Sequence, residues 1–148
     1  MPIAPSNPLP FLYTTVDKMG TSTNQEAIMP VTKTDREQFL DDVITTAIEG
    51  GIGYWSVCSA YEWKGVPARA QIQEFDEGTG EEYGPLLEVD RALIEKGIKE
   101  ILSGESNTGQ HMVKMVAVAS VTNDAGDVDA DVADCIVQVG AFGKLVYG

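Results

Sequence analysis

Between Thr34 and Trp63 the hydrophobic period changes, and that change limits the fold more than any other feature. Thr34-Asp35-Arg36-Glu37 has the form of a capping box, in which Thr34 caps the helix and Glu37 reaches back to it. Phe39, Leu40, Val43, Ile44, Ala47 and Ile48 then recur at helical spacing. The next stretch, E-G-G-I-G-Y-W (Glu49 to Trp55), breaks that rhythm with three glycines. Gly50 is expected to close the helix at positive φ, and Gly51 and Gly53 to let the chain reverse or let another backbone approach. Glu49 sits at the negative end of the helix dipole, where a carboxylate needs a cation, a donor or solvent. From Trp55 to Trp63 the period becomes two. Trp55, Val57, Ser59, Tyr61 and Trp63 alternate with Ser56, Cys58, Ala60 and Glu62, giving an aromatic face and a small one. Tyr54 and Trp55 point to opposite faces, so at most one of them belongs to the core.

The pattern continues in the same mixed style. Gly65-Val66-Pro67 predicts a turn and Ala68 to Phe75 a second, antiparallel strand. Asp76 to Gly80 reads as an acidic loop, and Pro85 to Val89 as a short third strand whose proline suits an edge. Asp90 is expected to cap a second helix bearing Leu93, Ile94, Ile98, Ile101 and Leu102, ended by Ser103-Gly104. Gly97 within it implies close packing against another element. Gln110 to Val121 predicts a buried helix, although its β-branched residues also suit a strand. Asp129 caps a last helix to about Ala141, Gly143 breaks it, and Leu145 to Tyr147 adds a short strand. A small antiparallel sheet of about three strands packed by about four helices is an α+β fold. At 148 residues the chain has room for one such domain over 31–148. Residues 1–30, with Pro2, Pro5, Pro8 and Pro10, read as an extended or disordered arm. Its apolar patch Leu9, Phe11, Leu12 and Tyr13 suits docking on a neighbouring subunit or partner.

Charge excludes some functions. The net charge is −13, so nucleic acid and anionic membranes would be approached against their own charge. Solubility, a basic protein partner or imitation of a nucleic acid are compatible with it. The run Glu74, Asp76, Glu77, Glu81, Glu82, Glu88 and Asp90 reads as a solvated acidic surface or as such a mimic. No apolar run is long enough to cross a bilayer, and the N-terminus lacks a signal-peptide pattern. Cys58 and Cys135 have no neighbouring ligands and are expected as two buried thiols in a reducing cytoplasm.

Catalytic signatures are sparse. There is no P-loop, no dinucleotide-binding glycine fingerprint and no nucleophile elbow, so no cofactor is expected. His111 is expected to be a core residue of its apolar helix. Asp127-x-Asp129-x-Asp131 begins like a calcium loop but continues with Val132 and Gln138 where glycine and glutamate belong. Helix capping and first-turn dipole complementarity explain Asp129 and Asp131 without metal. Glu49 and Glu62 bracket the aromatic strand and are the carboxylates available for acid–base work. The candidate ligand- or partner-binding set is therefore Glu49, Gly50, Gly51, Tyr54, Trp55, Tyr61, Glu62 and Trp63.

Two stretches carry a resemblance. Ile44 to Trp55, I-x-x-A-I-E-G-G-I-G-Y-W, and Ala133 to Gly148, ending F-G-x-L-V-Y-G, resemble a family of small uncharacterised bacteriophage and prophage accessory proteins. The intervening E-K-G-I-K of Glu95 to Lys99 fits the same spacing. The proline-rich arm and the acidic 74–82 loop depart from it. The resemblance brings no substrate and no catalytic residues. It implies a non-enzymatic protein of the bacterial host cytoplasm that binds and interferes with a host protein or a small signalling molecule. A virion assembly role for the arm, with homo-oligomerisation, is the alternative. A small enzyme using Glu49 and Glu62 is the next.

Overall fold

The computed structural model describes residues 33–64 and 67–148. The proline-rich segment 1–30 and the Gly65-Val66 part of the predicted turn lie outside the described residues. The fold is α+β, with a three-stranded antiparallel sheet and four α-helices among the described residues. In order these are α1 (Asp35–Thr46), β1 (Ser56–Glu62), β2 (Arg69–Phe75), β3 (Glu82–Val89), α2 (Arg91–Leu102), α3 (Gln110–Thr122) and α4 (Ala130–Phe142).

The first helix starts as its sequence dictates. Thr34 Oγ1 accepts the Glu37 N–H at 3.1 Å, and Glu37 Oε1 accepts the Thr34 N–H at 3.0 Å. Its end differs from expectation. Gly50 does not adopt positive φ; the chain stays helical through a π-turn, Ala47–Gly51. Close approach is what requires glycine here. A Cβ on Gly51 would lie 2.9 Å from the Ala130 carbonyl oxygen, at the start of α4.

The sheet runs β1-β2-β3. Ala70 and Ile72 of β2 and Val89 of β3 turn into the core, while Arg69 and Gln71 face solvent. The expected aromatic face of β1 does not form. Trp55 precedes the strand in a turn, and the pairing slips between Cys58 and Ala60, which interrupts the two-residue period. Val57, Cys58, Ser59 and Ala60 are all exposed on this edge strand, so Cys58 is not the buried thiol expected; Cys135 is buried. The third strand begins at Glu82 rather than Pro85. As an edge strand it accommodates a proline within its length.

α4 is the centre of the helical layer, and every residue from Val132 to Gly140 is buried. α2 crosses it at two glycines. A Cβ on Gly140 would sit 2.5 Å from the Leu93 carbonyl oxygen, and one on Gly97 would collide with the Ile136 carbonyl. The contact expected from Gly97 is therefore a backbone-to-backbone approach with α4. Asp90 and Asp129 cap α2 and α4 as predicted, each accepting the third following N–H at 2.9 Å. Gly143, at φ 79°, ends α4. Leu145 to Tyr147 form no strand; they fold back over the domain.

α3 is a helix, but not a buried one. Only Val116 and Ala119 are fully buried, because the helix borders its layer and packs along one stripe. His111 is exposed in its first turn, not a core residue. Arg36 of α1 anchors the far end of α3. Its guanidinium donates to the Ser120 carbonyl and Asn123 Oδ1 at 2.9 Å each, and to Glu95 of α2 at 2.6 Å. Asp41 performs a similar tie. It is buried on α1 and accepts two bonds from Arg91 at 2.8 Å each, with Lys33 Nζ at 2.7 Å.

Candidate functional site

The Gly51 contact seats the turn after the π-helix directly over α4. Tyr54 and Trp55 then reach the same carboxylate. The Trp55 indole N–H donates to Asp134 Oδ1 at 2.9 Å, and the Tyr54 hydroxyl donates to Asp134 Oδ2 at 2.6 Å. One turn further along α4, the Gln138 amide donates to Asp134 Oδ1 at 2.9 Å. Gln138 Oε1 accepts the backbone N–H groups of Val146 and Tyr147, both at 2.8 Å. The buried Gln138 thus pins the returning tail to its own helix. Asn107 clamps the tail from outside, accepting the Leu145 N–H at 2.6 Å and donating to the Leu145 carbonyl at 3.1 Å.

Tyr147 completes the site. Its ring stacks on Trp55, and Phe142 meets Trp55 at 5.6 Å with the planes tilted by 60°. The Tyr147 hydroxyl donates to Glu74 on β2 and lies 2.7 Å from the Tyr83 hydroxyl on β3. With the single Tyr147 proton directed at Glu74, Tyr83 is the donor in that second bond. Tyr54 and Trp55 of the turn after the π-helix and Tyr147 of the tail therefore meet in one polar and aromatic network.

Its electrostatics favour the protonated phenols of Tyr54 and Tyr147. Burial, reinforced by the Asp134 bond and charge, pushes Tyr54 up to about 12. Burial and the bonds to Glu74 and Tyr83 raise Tyr147 as well. Burial, then the Asp134 charge, pushes the Cys135 thiol up to about 12, which keeps it an inert packing group. Beside the network lies a shallow hollow of about 430 Å³, bordered by Tyr54, Tyr83, Tyr147, Phe75, Asp76 and Glu77. The Asp76 carboxylate holds the loop that frames it, accepting the N–H groups of Gly78 at 2.8 Å and Thr79 at 3.1 Å. Phenol faces, phenol hydroxyls and carboxylates form the walls, with no lysine or arginine among the described residues that line it.

The residues singled out from sequence do not all gather here. Trp55 is only 1 % exposed, so it is the core member of the Tyr54–Trp55 pair and supports the hollow from beneath, away from the exposed Trp63. Tyr54, 47 % exposed, is the outward member of the pair. Gly51 acts through the close approach to Ala130, whereas a Cβ on Gly50 would meet the Ala130 Cβ only at an ordinary 4.0 Å. Glu49 is exposed and meets Tyr61, whose hydroxyl lies 3.4 Å from Glu49 Oε2 and 3.3 Å from Thr45 Oγ1. Tyr61 and Glu62 border a different hollow of about 270 Å³, where Glu62 pairs with Arg69 at 2.8 Å. Trp63 is exposed beyond the end of β1, a strand of seven residues and roughly 25 Å from Trp55. Glu49 and Glu62 therefore share no common cleft. Of the aspartates that suggested a calcium loop, Asp129 caps α4 and Asp131 lies in its first turn; Asp127 lies in the 3₁₀ turn Ala125–Asp127, which Asp124 caps.

Sequence reasoning missed Asp134, Gln138, Glu74, Tyr83 and Tyr147 as members of one site. A signal existed for the first two. They are a polar pair four residues apart inside an otherwise apolar helix, which places both on one buried face. Among the described residues, no helix is long and apolar enough to cross a membrane. No protein-family model, no curated protein and no solved structure matches this chain.

Proposed function

We propose that this chain is a non-enzymatic binding protein whose tyrosine-lined acidic hollow receives a cationic side chain of a partner protein. One observation carries the reading: the hollow of about 430 Å³ combines the rings of Tyr54, Tyr83 and Tyr147 with the carboxylates of Asp76 and Glu77. Aromatic faces and carboxylates together favour an ammonium or guanidinium group, the first through the ring quadrupole and the second through charge. The hydrogen-bonded network beneath holds the rings in place before a partner arrives, which lowers the ordering cost of binding. The net charge of −13 attracts a basic partner over a distance and repels nucleic acid. The resemblance to phage accessory proteins supplies the setting. The partner is a host or defence protein, met in the bacterial cytoplasm.

The test is capture from bacterial lysate on the immobilised full chain, with mass-spectrometric identification, for the natural protein and for Tyr83→Ala/Glu77→Gln. A basic protein retained at low salt, released at high salt and lost with the double variant supports the reading. Equal capture by both forms overturns it. A small-molecule adduct in native mass spectrometry, lost with the same variant, would replace the protein partner with a sequestered ligand.

A further inference from the structure

A second surface lies on α3, on residues that take no part in the tyrosine network. Helices in a packed layer turn their apolar stripe inward, yet α3 carries two valines outward. Val118 is 63 % exposed and Val121, one turn on, is 81 % exposed. Val118 also lines a groove of about 750 Å³ between α3 and the 3₁₀ turn before α4, while Val121 is not among its lining residues. Met115, Val118 and Ala119 form its apolar floor. Asp124, Asp127 and Asp129 line one rim, and Lys114 stands among the lining residues of the helix. Asp124 and Asp129 each give one oxygen to a backbone N–H, of Gly126 at 2.8 Å and Val132 at 2.9 Å. Their other oxygens, and the Asp127 carboxylate, make no described hydrogen bond.

We infer that this groove is a docking site for a basic amphipathic helix of another protein. Such a helix presents apolar side chains three and four residues apart, which match a floor of valine, alanine and an adaptable methionine. Lysines or arginines along its flank meet the three aspartates. Charge selects this occupant over a second copy of the chain. Each copy carries a net charge of −13 and would bring the same aspartate rim to the contact. An acidic helix is excluded for the same reason. The site is independent of the tyrosine-lined hollow and does not rest on the function proposed for it.

The experiment uses a fluorescein-labelled 18-residue peptide of leucine and lysine in helical amphipathic order, titrated with the full chain by fluorescence anisotropy. A peptide of identical composition in scrambled order is the comparison. The amphipathic peptide should bind at least tenfold more tightly than the scrambled one. Val118→Ser/Val121→Ser should weaken it at least tenfold. Asp127→Asn should weaken it about threefold and flatten its salt dependence, since one screened charge is gone. Tyr83→Ala/Glu77→Gln, in the other hollow, should leave it unchanged. Both valines are largely solvent-facing, so the circular dichroism of the serine variant should match that of the natural chain. Equal binding of the scrambled peptide overturns the inference, as does an unchanged affinity in the valine variant. Sedimentation provides a further check. A natural dimer that the valine variant splits into monomers would make a second copy the occupant and would likewise overturn the inference.

Discussion

Tyr147 lies flat on Trp55, with ring centroids 5.0 Å apart and planes within 7° of parallel, and this stack joins the tail to the turn that follows α1. The two residues are 92 positions apart, so the contact closes the domain across most of its described length. Removing the ring exposes Trp55 and frees the tail. Tyr147→Ala should lower stability by about 3 kcal/mol, the cost typical of deleting a packed aromatic side chain. Tyr147→Phe keeps the stack and loses only the bonds to Glu74 and Tyr83, for about 1 kcal/mol. Urea unfolding followed by tryptophan fluorescence distinguishes the two; equal losses would show that the stack is not what matters.

Asp134 accepts hydrogen bonds from three side chains, and its removal strands all of them. Asp134→Ala leaves the Trp55 indole, the Tyr54 hydroxyl and one Gln138 proton without their acceptor. Each is buried or half-buried, and the summed effect should be about 3 kcal/mol. Proton NMR gives a second reading, because the Trp55 indole N–H signal should shift and exchange faster. A variant of unchanged stability would mean that water replaces the carboxylate.

Tyr54 makes a prediction at alkaline pH. Its folded pKa, about 12, lies above the ordinary 10, so its protonated form is favoured by the fold. The stability it contributes is complete below pH 10 and is lost as the pH rises toward 12. Absorbance at 295 nm should show fewer tyrosines ionising near pH 10 than composition alone gives, because Tyr54, Tyr61 and Tyr147 are all raised, Tyr61 chiefly by burial. Tyr54→Phe should remove a late-titrating tyrosine and leave the early ones as they were.

Asp41 makes the opposite prediction at acid pH. Burial raises the pKa of its carboxyl, and the bonds to Arg91 and Lys33 more than reverse that, leaving it below the usual value. A depressed folded pKa stabilises the fold above the unfolded value, near 4, and that contribution is lost as the pH falls through the folded value. Thermal unfolding between pH 5 and 2 should therefore flatten in Asp41→Asn, which is less stable than the natural chain at neutral pH. Parallel curves would assign the acid sensitivity to other carboxylates.

Much of the secondary structure was legible because its signals are local. Capping boxes, cap aspartates and the helical spacing of α1, α2 and α4 act within one or two turns of the chain, and the structure places those helices where they were expected. Gly97 was legible too, since a glycine inside a helix demands a close neighbour, although the neighbour itself, Ile136 on α4, was not. β1 was misread through its two-residue period. A slip between Cys58 and Ala60 costs nothing visible in composition, yet it turns the following side chains to new faces. α3 was misread for a different reason. Apolar content predicts burial only if a partner exists to cover it, and here one stripe has none among the described residues.

The sequence by itself determined the class of this protein: an acidic α+β domain, its helix caps and its order of elements, all consequences of backbone preference and short-range periodicity. Only the tertiary structure decided that Tyr54, Trp55, Asp134, Gln138 and Tyr147 belong together. Their meeting depends on how α4 lies under the π-turn and on how the tail returns, and those are set by the backbone contact at Gly51 and by the hydrogen bonds that tie the tail to Gln138. Contacts such as Tyr54–Asp134 and Trp55–Tyr147, 80 and 92 positions apart, leave no periodic trace in a single chain, so the site becomes visible only when packing brings them together.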